Sequence, residues 1–306
     1  MCLVSIIIPT YKHQDFVLAT LDSVFAQTFT DYEVIVINDG SPDNTAAVLQ
    51  PLAEAGRIRY IEQKNAGQSA ARNRGIAEAR GEFIALLDDD DLWPPDKLEW
   101  QVQALHGDPD AVLVYGGASL VKPEFDIADA GALGPELYPE KESSIGNAYR
   151  EFIVTHPPCS PGQTLIRASA VKQVGCFDEA IWGADDYDLN IRLSKIGDFI
   201  YQRRLALYYR QHPENASKDF RRHYLNVCRV RRKHLGQFPF SLDNKLWLST
   251  FRHWHSIFLG SMMADIHVCI ENGNKKKGRR LWRWIMLMPP HPSQWKYMFD
   301  LIWQLK

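Results

Sequence analysis

The sequence predicts an α/β protein: a mostly parallel central sheet flanked by helices, followed by a helical C-terminal appendage. Three observations lead there. Runs of β-branched and aliphatic residues alternate with segments of helical periodicity through the first half, the pattern of a parallel sheet with crossover helices. The stretches just past three of those runs, PTYKH, NDGSPDN and DDDD, are polar, and open α/β sheets bind ligands beyond the carboxyl ends of their strands. After Ser217 the alternation stops, and aromatic and basic residues recur at helical spacing.

Taken in order, VSIIIP is a continuous apolar run closed by Pro9, as suits a strand buried on both faces. From Asp15 to Phe25, the residues Phe16, Leu18, Leu21, Val24 and Phe25 fall at helical steps. A second buried strand, Val34 to Ile37, breaks at Asn38-Asp39-Gly40-Ser41, and TAAVLQPLAE resumes the helical pattern. IRYIEQ is the third strand, GQSAARNRGIAEAR the third helix, and GEFIALLD a fourth strand running straight into Asp88-Asp89-Asp90-Asp91. PPDKLEWQVQAL follows as a helix whose prolines suit a first turn. Further on, QTLIR reads as a strand before a short helix, GADDYDLNIRL as a helix start, and FIYQRRLALYYRQH as strand-like. In the tail, Trp247, Phe251, Trp254 and Phe258 follow steps of four, three and four, while NKKKGRRLWRWIMLMPP and SQWKYMFDLIWQLK mix basic clusters with tryptophans. Core packing accounts for such stripes first; a homodimer contact or peripheral membrane contact through basic, Trp-bearing helices is the other use.

Composition narrows the function classes. With 306 residues, 45% hydrophobic and 24% charged, the chain is globular and long enough for a large core. A formal net charge of -2 gives no overall bias toward nucleic acid. Five cysteines without a CxxC pair disfavour a disulfide framework or a zinc site and fit a reducing cytoplasm. LVSIIIP is too short for a secretory core and lacks a basic leader, and SIFLGSMMADIHVCI, interrupted by Asp265 and His267, falls short of a membrane span. A cytoplasmic protein, at most peripheral to a membrane, is expected. IIIPTYKHQDF holds no glycine, so a dinucleotide fingerprint is absent, as is a P-loop.

The four aspartates admit three readings. A solvated loop capping the next helix is one. A calcium loop fails because Leu92 and Trp93 stand where a ligand and the glycine belong. The third is a hard-cation site for Mg2+ or Mn2+, in which one or two carboxylates leave coordination positions for diphosphate oxygens and water.

The segments from Val4 to Thr45, NAGQSAARNRGIAEARGEFIALLDDDDLWPPDKLE and GCFDEAIWGADDYDLNIRLSKIG together resemble the family 2 glycosyltransferases of the GT-A fold, over roughly Leu3 to Ser217. The resemblance implies a catalytic domain over 1–217, with a nucleotide-binding half at 1–115 and an acceptor and base half at 116–217, ahead of a helical region at 218–306. It implies transfer of a sugar from a nucleotide-diphosphate donor, UDP-sugar favoured, to a saccharide, lipid-linked or protein-linked acceptor, with inversion and a divalent cation. By that likeness Pro9, Thr10 and Tyr11 line the nucleotide pocket, Asp39 accepts a hydrogen bond from the base, and Lys64, Gly67 and Arg72 close over base and diphosphate. The family pattern D-x-D-D places Asp88 at the ribose, Asp89 in the variable position, Asp90 on the cation and Asp91 in support. Asp186 is the general base with Asp185 beside it, where the family usually shows Glu-Asp. Gly162 lets the backbone approach the sugar, Trp93 belongs to the same sugar and acceptor region, and His212 completes the metal shell or touches the diphosphate. Two alternatives stay open: a nucleotide-sugar binding module without transfer activity, and a sugar nucleotidyltransferase. Asp186 argues against the first, and the missing glycine-rich loop after the first strand against the second.

Overall fold

The computed structural model describes residues 2–128, 136–137, 143–155, 157, 159–212, 215, 220–236 and 243–285. The chain divides into two compact units, Met1–Phe152 with His156–Asn215, and Ile153–Thr155 with Ala216–Lys306.

The first unit is built on one sheet. Strands β1 (Val4–Thr10), β2 (Tyr32–Asn38), β3 (Arg59–Glu62) and β4 (Phe83–Leu86) lie in the order β3-β2-β1-β4 and all pair parallel. Helices α1 (Val17–Phe25), α2 (Thr45–Glu54) and α3 (Gln68–Glu78) make the crossovers, and two short helices, α5 (Tyr149–Val154) and α6 (Ala168–Gln173), come later in the chain. Beyond β4 the sheet becomes mixed. β8 (Thr164–Arg167) inserts antiparallel between β4 and β5 (Ala111–Val121), and β9 (Asp198–Arg210) runs parallel to β5. Two short strands, β6 (Glu136–Leu137) on β5 and β7 (Ser144–Gly146) on β9, pair antiparallel.

Alternation along β1 sends its side chains to opposite faces. Ile6 and Ile8 join Val34, Val36, Leu21, Val24, Trp93 and Leu98 in a core beneath α1 and α4 (Lys97–Gly107). Ile7 joins Ile76, Ile84, Leu86, Leu189 and Leu193 on the face covered by α3 and α7 (Asp185–Leu193). Gly75 lets α3 lie directly on β1, because a Cβ there would overlap the Ile7 side chain. That close approach fixes where Arg72, one turn earlier, can reach. Glu33 ties the lower edge, accepting from Ser5 Oγ (2.7 Å), Arg59 Nη1 (2.9 Å) and the Arg80 amide (2.8 Å).

The second unit holds helices α8 (Phe220–Leu235), α9 (Asn244–Glu271) and α10 (Lys275–Ile285). Asp243 caps α9 by accepting from the Leu246 amide (2.9 Å). The aromatic stripe is internal packing. Trp247 stacks on Phe251 at 5.4 Å and Trp254 on Phe258 at 5.7 Å, with the Arg231 guanidinium over the Trp247 ring. Leu281 and Trp282 of α10 pack against Leu259, Met263 and Ile266 of α9. The Trp-rich segment after Ile285 lies outside the described residues. Among the described residues no helix is long and apolar enough to cross a membrane. The two units differ sharply in charge. Residues 1–215 carry 18 Lys and Arg against 32 Asp and Glu, whereas residues 216–306 carry 17 against 5.

Candidate active site

The loops after β1, β2 and β4 interlock at one sheet edge. The Asp39 amide donates to the Thr10 carbonyl (2.9 Å), the Lys12 amide to Ser41 Oγ (3.1 Å), and the Tyr11 amide to Asp89 Oδ2 (3.2 Å). The aspartate loop itself is pinned from both sides. Thr20 of α1 donates its hydroxyl to the carbonyls of Asp89 and Asp91, and Arg210 at the end of β9 donates to Thr20 Oγ1 (3.1 Å) and to the Asp90 carbonyl.

Held this way, four consecutive carboxylates face four different partners. Asp88 accepts from Arg72 Nη2 (2.6 Å) and Gln68 (3.1 Å). Asp89 meets His13 Nδ1 at 2.7 Å. Asp90 meets His212 Nε2 at 2.9 Å, and Asp91 accepts from the Arg210 amide (3.0 Å). Separate partners relieve the repulsion only in part. Burial, then the charges of Asp89 and Asp88, pushes the Asp90 carboxyl up to about 6. Burial, then Asp90 and Asp88, likewise holds Asp91 well above the ordinary carboxylate range.

A divalent cation fits this donor set. One ligand atom each from His13, Asp90 and His212 lies within 4.8 Å of the others, and the partly buried Asp90 is crowded by the charges of Asp89 and Asp88. The rings are held in place by Phe16, which stacks on His212 at 5.0 Å and meets His13 edge-on at 5.9 Å.

Across the crevice, the Asp185 carboxylate is buried and accepts from Arg72 Nη1 (2.7 Å) and Ser69 Oγ (3.0 Å). Burial raises its pKa although Arg72 opposes the shift. Arg72 is therefore a bridge between the aspartate loop and the start of α7. Burial works against its charge, but Asp88 and Asp185 outweigh that and hold its pKa above the ordinary value. Asp186 is different. It is partly exposed, accepts from the adjacent Tyr187 amide (2.7 Å), and lines a small cavity with Leu86, Pro161, Thr164, Ile166, Phe177, Leu189 and Asn190. Asp188 pairs with Arg192 (2.8 Å), away from that cavity.

The other sequence-derived residues fall into three groups. Pro9 and Thr10 end β1 and are buried, while Tyr11 is 38% exposed beside them with the Lys12 ammonium over its ring. Asp39 is buried and accepts from Gln63 Nε2 (2.8 Å), the Ala66 amide (2.9 Å) and the Gly67 amide (2.8 Å). It shapes the loop bearing Lys64, which is exposed, and has one of its roughly four acceptor positions left. Trp93 and Gly162 are both buried. Trp93 is fully buried, donates Nε1 to the Gly162 carbonyl (2.8 Å) and carries the Lys97 ammonium over its ring. A Cβ at Gly162 would press on Leu207 at 2.8 Å, so its missing side chain makes room for the core. His13, Gln68, Ser69, Thr20 and Arg210 were not singled out by sequence. His13 stood in the PTYKH segment, the one imidazole in the three converging loops, and that was signal enough to weigh it.

A mixed sheet with its parallel half opening onto an aspartate loop, and a second acid pair joined to that loop by an arginine, has the organisation of a GT-A glycosyltransferase. The chain belongs to glycosyl transferase family 2, whose family model matches residues 5–175. It is 32% identical to chondroitin synthase of Escherichia coli over 218 residues, 70% of this chain and 30% of that protein. It is 31% identical to an uncharacterized glycosyltransferase of Rickettsia felis over 223 residues, 72% of this chain and 36% of that one. The matches thus span about a third of those relatives' length. Among solved structures, S. aureus TarS in complex with UDP-GlcNAc aligns over 84% of this chain and 72% of its own, with TM-score 0.65 and 16% identity. The mannosyltransferase PcManGT of Pyrobaculum calidifontis, in complex with GDP-Man and Mn2+, aligns over 99% and 85%, with TM-score 0.58 and 19% identity.

Proposed function

We propose that the chain transfers a sugar from a nucleotide-diphosphate donor, a UDP-sugar, to an acceptor hydroxyl with inversion, in the assembly of a polysaccharide or glycoconjugate. The observation that carries this is the Arg72 bridge: one buried guanidinium holds Asp88 of the aspartate loop and Asp185 beside Asp186, so donor side and base side share a fixed geometry. Pro9, Thr10, Tyr11 and Asp39, with Lys64 and Gly67 of the adjoining loop, frame the nucleotide. Asp90 and His212 hold the divalent cation, Mn2+ or Mg2+, which when bound supplies positive charge against the leaving diphosphate. Asp186 is the group that takes the acceptor proton: it is the partly exposed member of the pair, and its neighbour is committed to Arg72. The acceptor oxygen bonds to the anomeric carbon from the face opposite the departing diphosphate while Asp186 takes its proton, and that opposite-face displacement inverts the centre. Asp185 positions Arg72.

The acceptor is a saccharide, free or linked to lipid or protein, and the basic helical unit provides peripheral contact with a membrane. The reading is tested by incubating the protein with Mn2+ and a panel of nucleotide sugars and measuring nucleotide diphosphate release with and without saccharide acceptors. UDP-sugars should give the strongest acceptor-dependent release; a panel without any acceptor-dependent release overturns the reading.

A further inference from the structure

We propose that His13 is a third protein ligand of the divalent cation, oriented by Asp89, and that the resulting pair of imidazoles makes the protein prefer Mn2+ over Mg2+. The inference rests on the cation reading of the proposed function and deepens it.

Two ligands about 2.1 Å from a shared ion stand at most about 4.2 Å apart. The ligand atoms of His13, Asp90 and His212 already lie within 4.8 Å, so small side-chain rotations bring all three onto one ion. Asp89 supplies the second element of the argument. Its Oδ1 is 2.7 Å from His13 Nδ1 and its Oδ2 accepts from the Tyr11 amide, so the carboxylate is itself fixed by backbone. A proton on Nδ1 directed at Asp89 puts the ligating lone pair on Nε2, and a carboxylate behind an imidazole raises its basicity toward a metal. His212 is held on the other side by the Phe16 ring, and the two imidazoles stand perpendicular, 5.6 Å between centroids. Asp89, the variable position of the D-x-D-D pattern and expected on the donor side, thereby acts through His13 on the cation.

The chemistry of the donor set decides the preference. Mg2+ takes oxygen ligands and keeps its waters, whereas imidazole nitrogen favours first-row transition ions. An aspartate with diphosphate and water oxygens alone would discriminate little between Mg2+ and Mn2+. Two imidazoles tilt the site toward Mn2+.

The test uses the full chain with UDP. Mn2+ binding is followed by loss of the free-ion paramagnetic resonance signal, Mg2+ is added as competitor, and pulsed resonance counts imidazole nitrogens on bound Mn2+. The parent should show two imidazoles. His13→Gln should show one, with Mn2+ affinity reduced about 10–100-fold and Mg2+ affinity little changed, so that the preference collapses. Asp89→Ala should lower the Mn2+ to Mg2+ ratio in the same direction, by roughly 10-fold, which a merely structural role would not do. An unchanged nitrogen count and ratio in His13→Gln overturns the inference while leaving the cation reading intact. A parent that binds neither cation, with or without UDP, overturns both. Two imidazoles on Mn2+ in a protein that turns over none of the nucleotide sugars supports the inference and sinks the donor reading.

Discussion

Asp185 and Asp186 are neighbours with the same side chain, and their surroundings give them opposite fates. Asp186→Asn keeps shape and the local bond to Tyr187, so donor binding and melting temperature should hold while acceptor-dependent transfer falls about 10²–10⁴-fold. Asp185→Asn removes charge from a buried pair with Arg72, and should cost about 1–3 kcal/mol of stability, read as a lower denaturation midpoint. If Asp185→Asn abolishes transfer without loss of stability and Asp186→Asn is fully active, the roles are reversed. At the loop after β4, Asp90→Asn should weaken UDP binding in Mn2+ and leave the weaker metal-free binding unchanged, and EDTA should reproduce that in the parent; calorimetric titration with equal affinities in all cases would remove Asp90 from the cation. The aspartate run and the acid pair were legible as candidates because carboxylates crowded just past a strand and at a helix start announce themselves in sequence. The burial of Trp93 and the packing of Gly162 against Leu207 were not legible, because sequence spacing does not reveal which way a side chain faces. His13 escaped notice since its partner, Asp89, is separated from it by 76 positions.

At the level of elements, β2 shows how one edge residue joins three segments. Glu33 receives bonds from Ser5 on β1, Arg59 on β3 and the amide of Arg80 past α3. Burial raises its pKa, but those three bonds outweigh it and hold the carboxyl below its usual 4.5. A carboxyl depressed in the folded state gives stability that is complete above its unfolded pKa and is lost as pH falls through the folded one. Glu33→Gln should therefore lower the urea midpoint at pH 7 and flatten the decline below about pH 4.5. An acid limb as steep as the parent's would show that Glu33 contributes nothing. The helices and parallel strands of the first half were readable because apolar runs and periodic segments alternate cleanly. The sequence reading placed no strand at Ala111–Val121, the central β5. Gly116 and Gly117 interrupt its apolar pattern, and the register with β9 shifts on either side of Gly117. Gly116 is needed there because a Cβ would collide with the Arg204 carbonyl at 2.5 Å. The glycine pair splits the strand into two short apolar pieces, which weakens the signal of one continuous strand.

Across the whole molecule, the near-neutral net charge of -2 conceals an acidic unit joined to a basic one. On α10, Lys276, Arg279, Arg280 and Arg283 are all exposed and fall on one face, opposite the side on which Leu281 packs against α9. Each basic residue at an anionic lipid surface is worth about 1 kcal/mol, so the protein should sediment with phosphatidylglycerol vesicles, dissociate in salt, and ignore phosphatidylcholine. Replacing those four residues with Glu should abolish sedimentation and spare UDP binding; unchanged sedimentation would free α10 from that role. The division of the chain also sets a clock. Ile153–Thr155 belong to the helical unit although they interrupt the acidic one, and their carbonyls meet Thr250 Oγ1 and His253 Nε2, 97 and 98 positions later. At about 5–20 residues per second, synthesis leaves those three residues waiting roughly 5–20 s for the helix that receives them. During that interval β8 and β9, which leave the ribosome before α9, can complete the sheet of the first unit, while Ile153–Thr155 wait for the helix of their own unit.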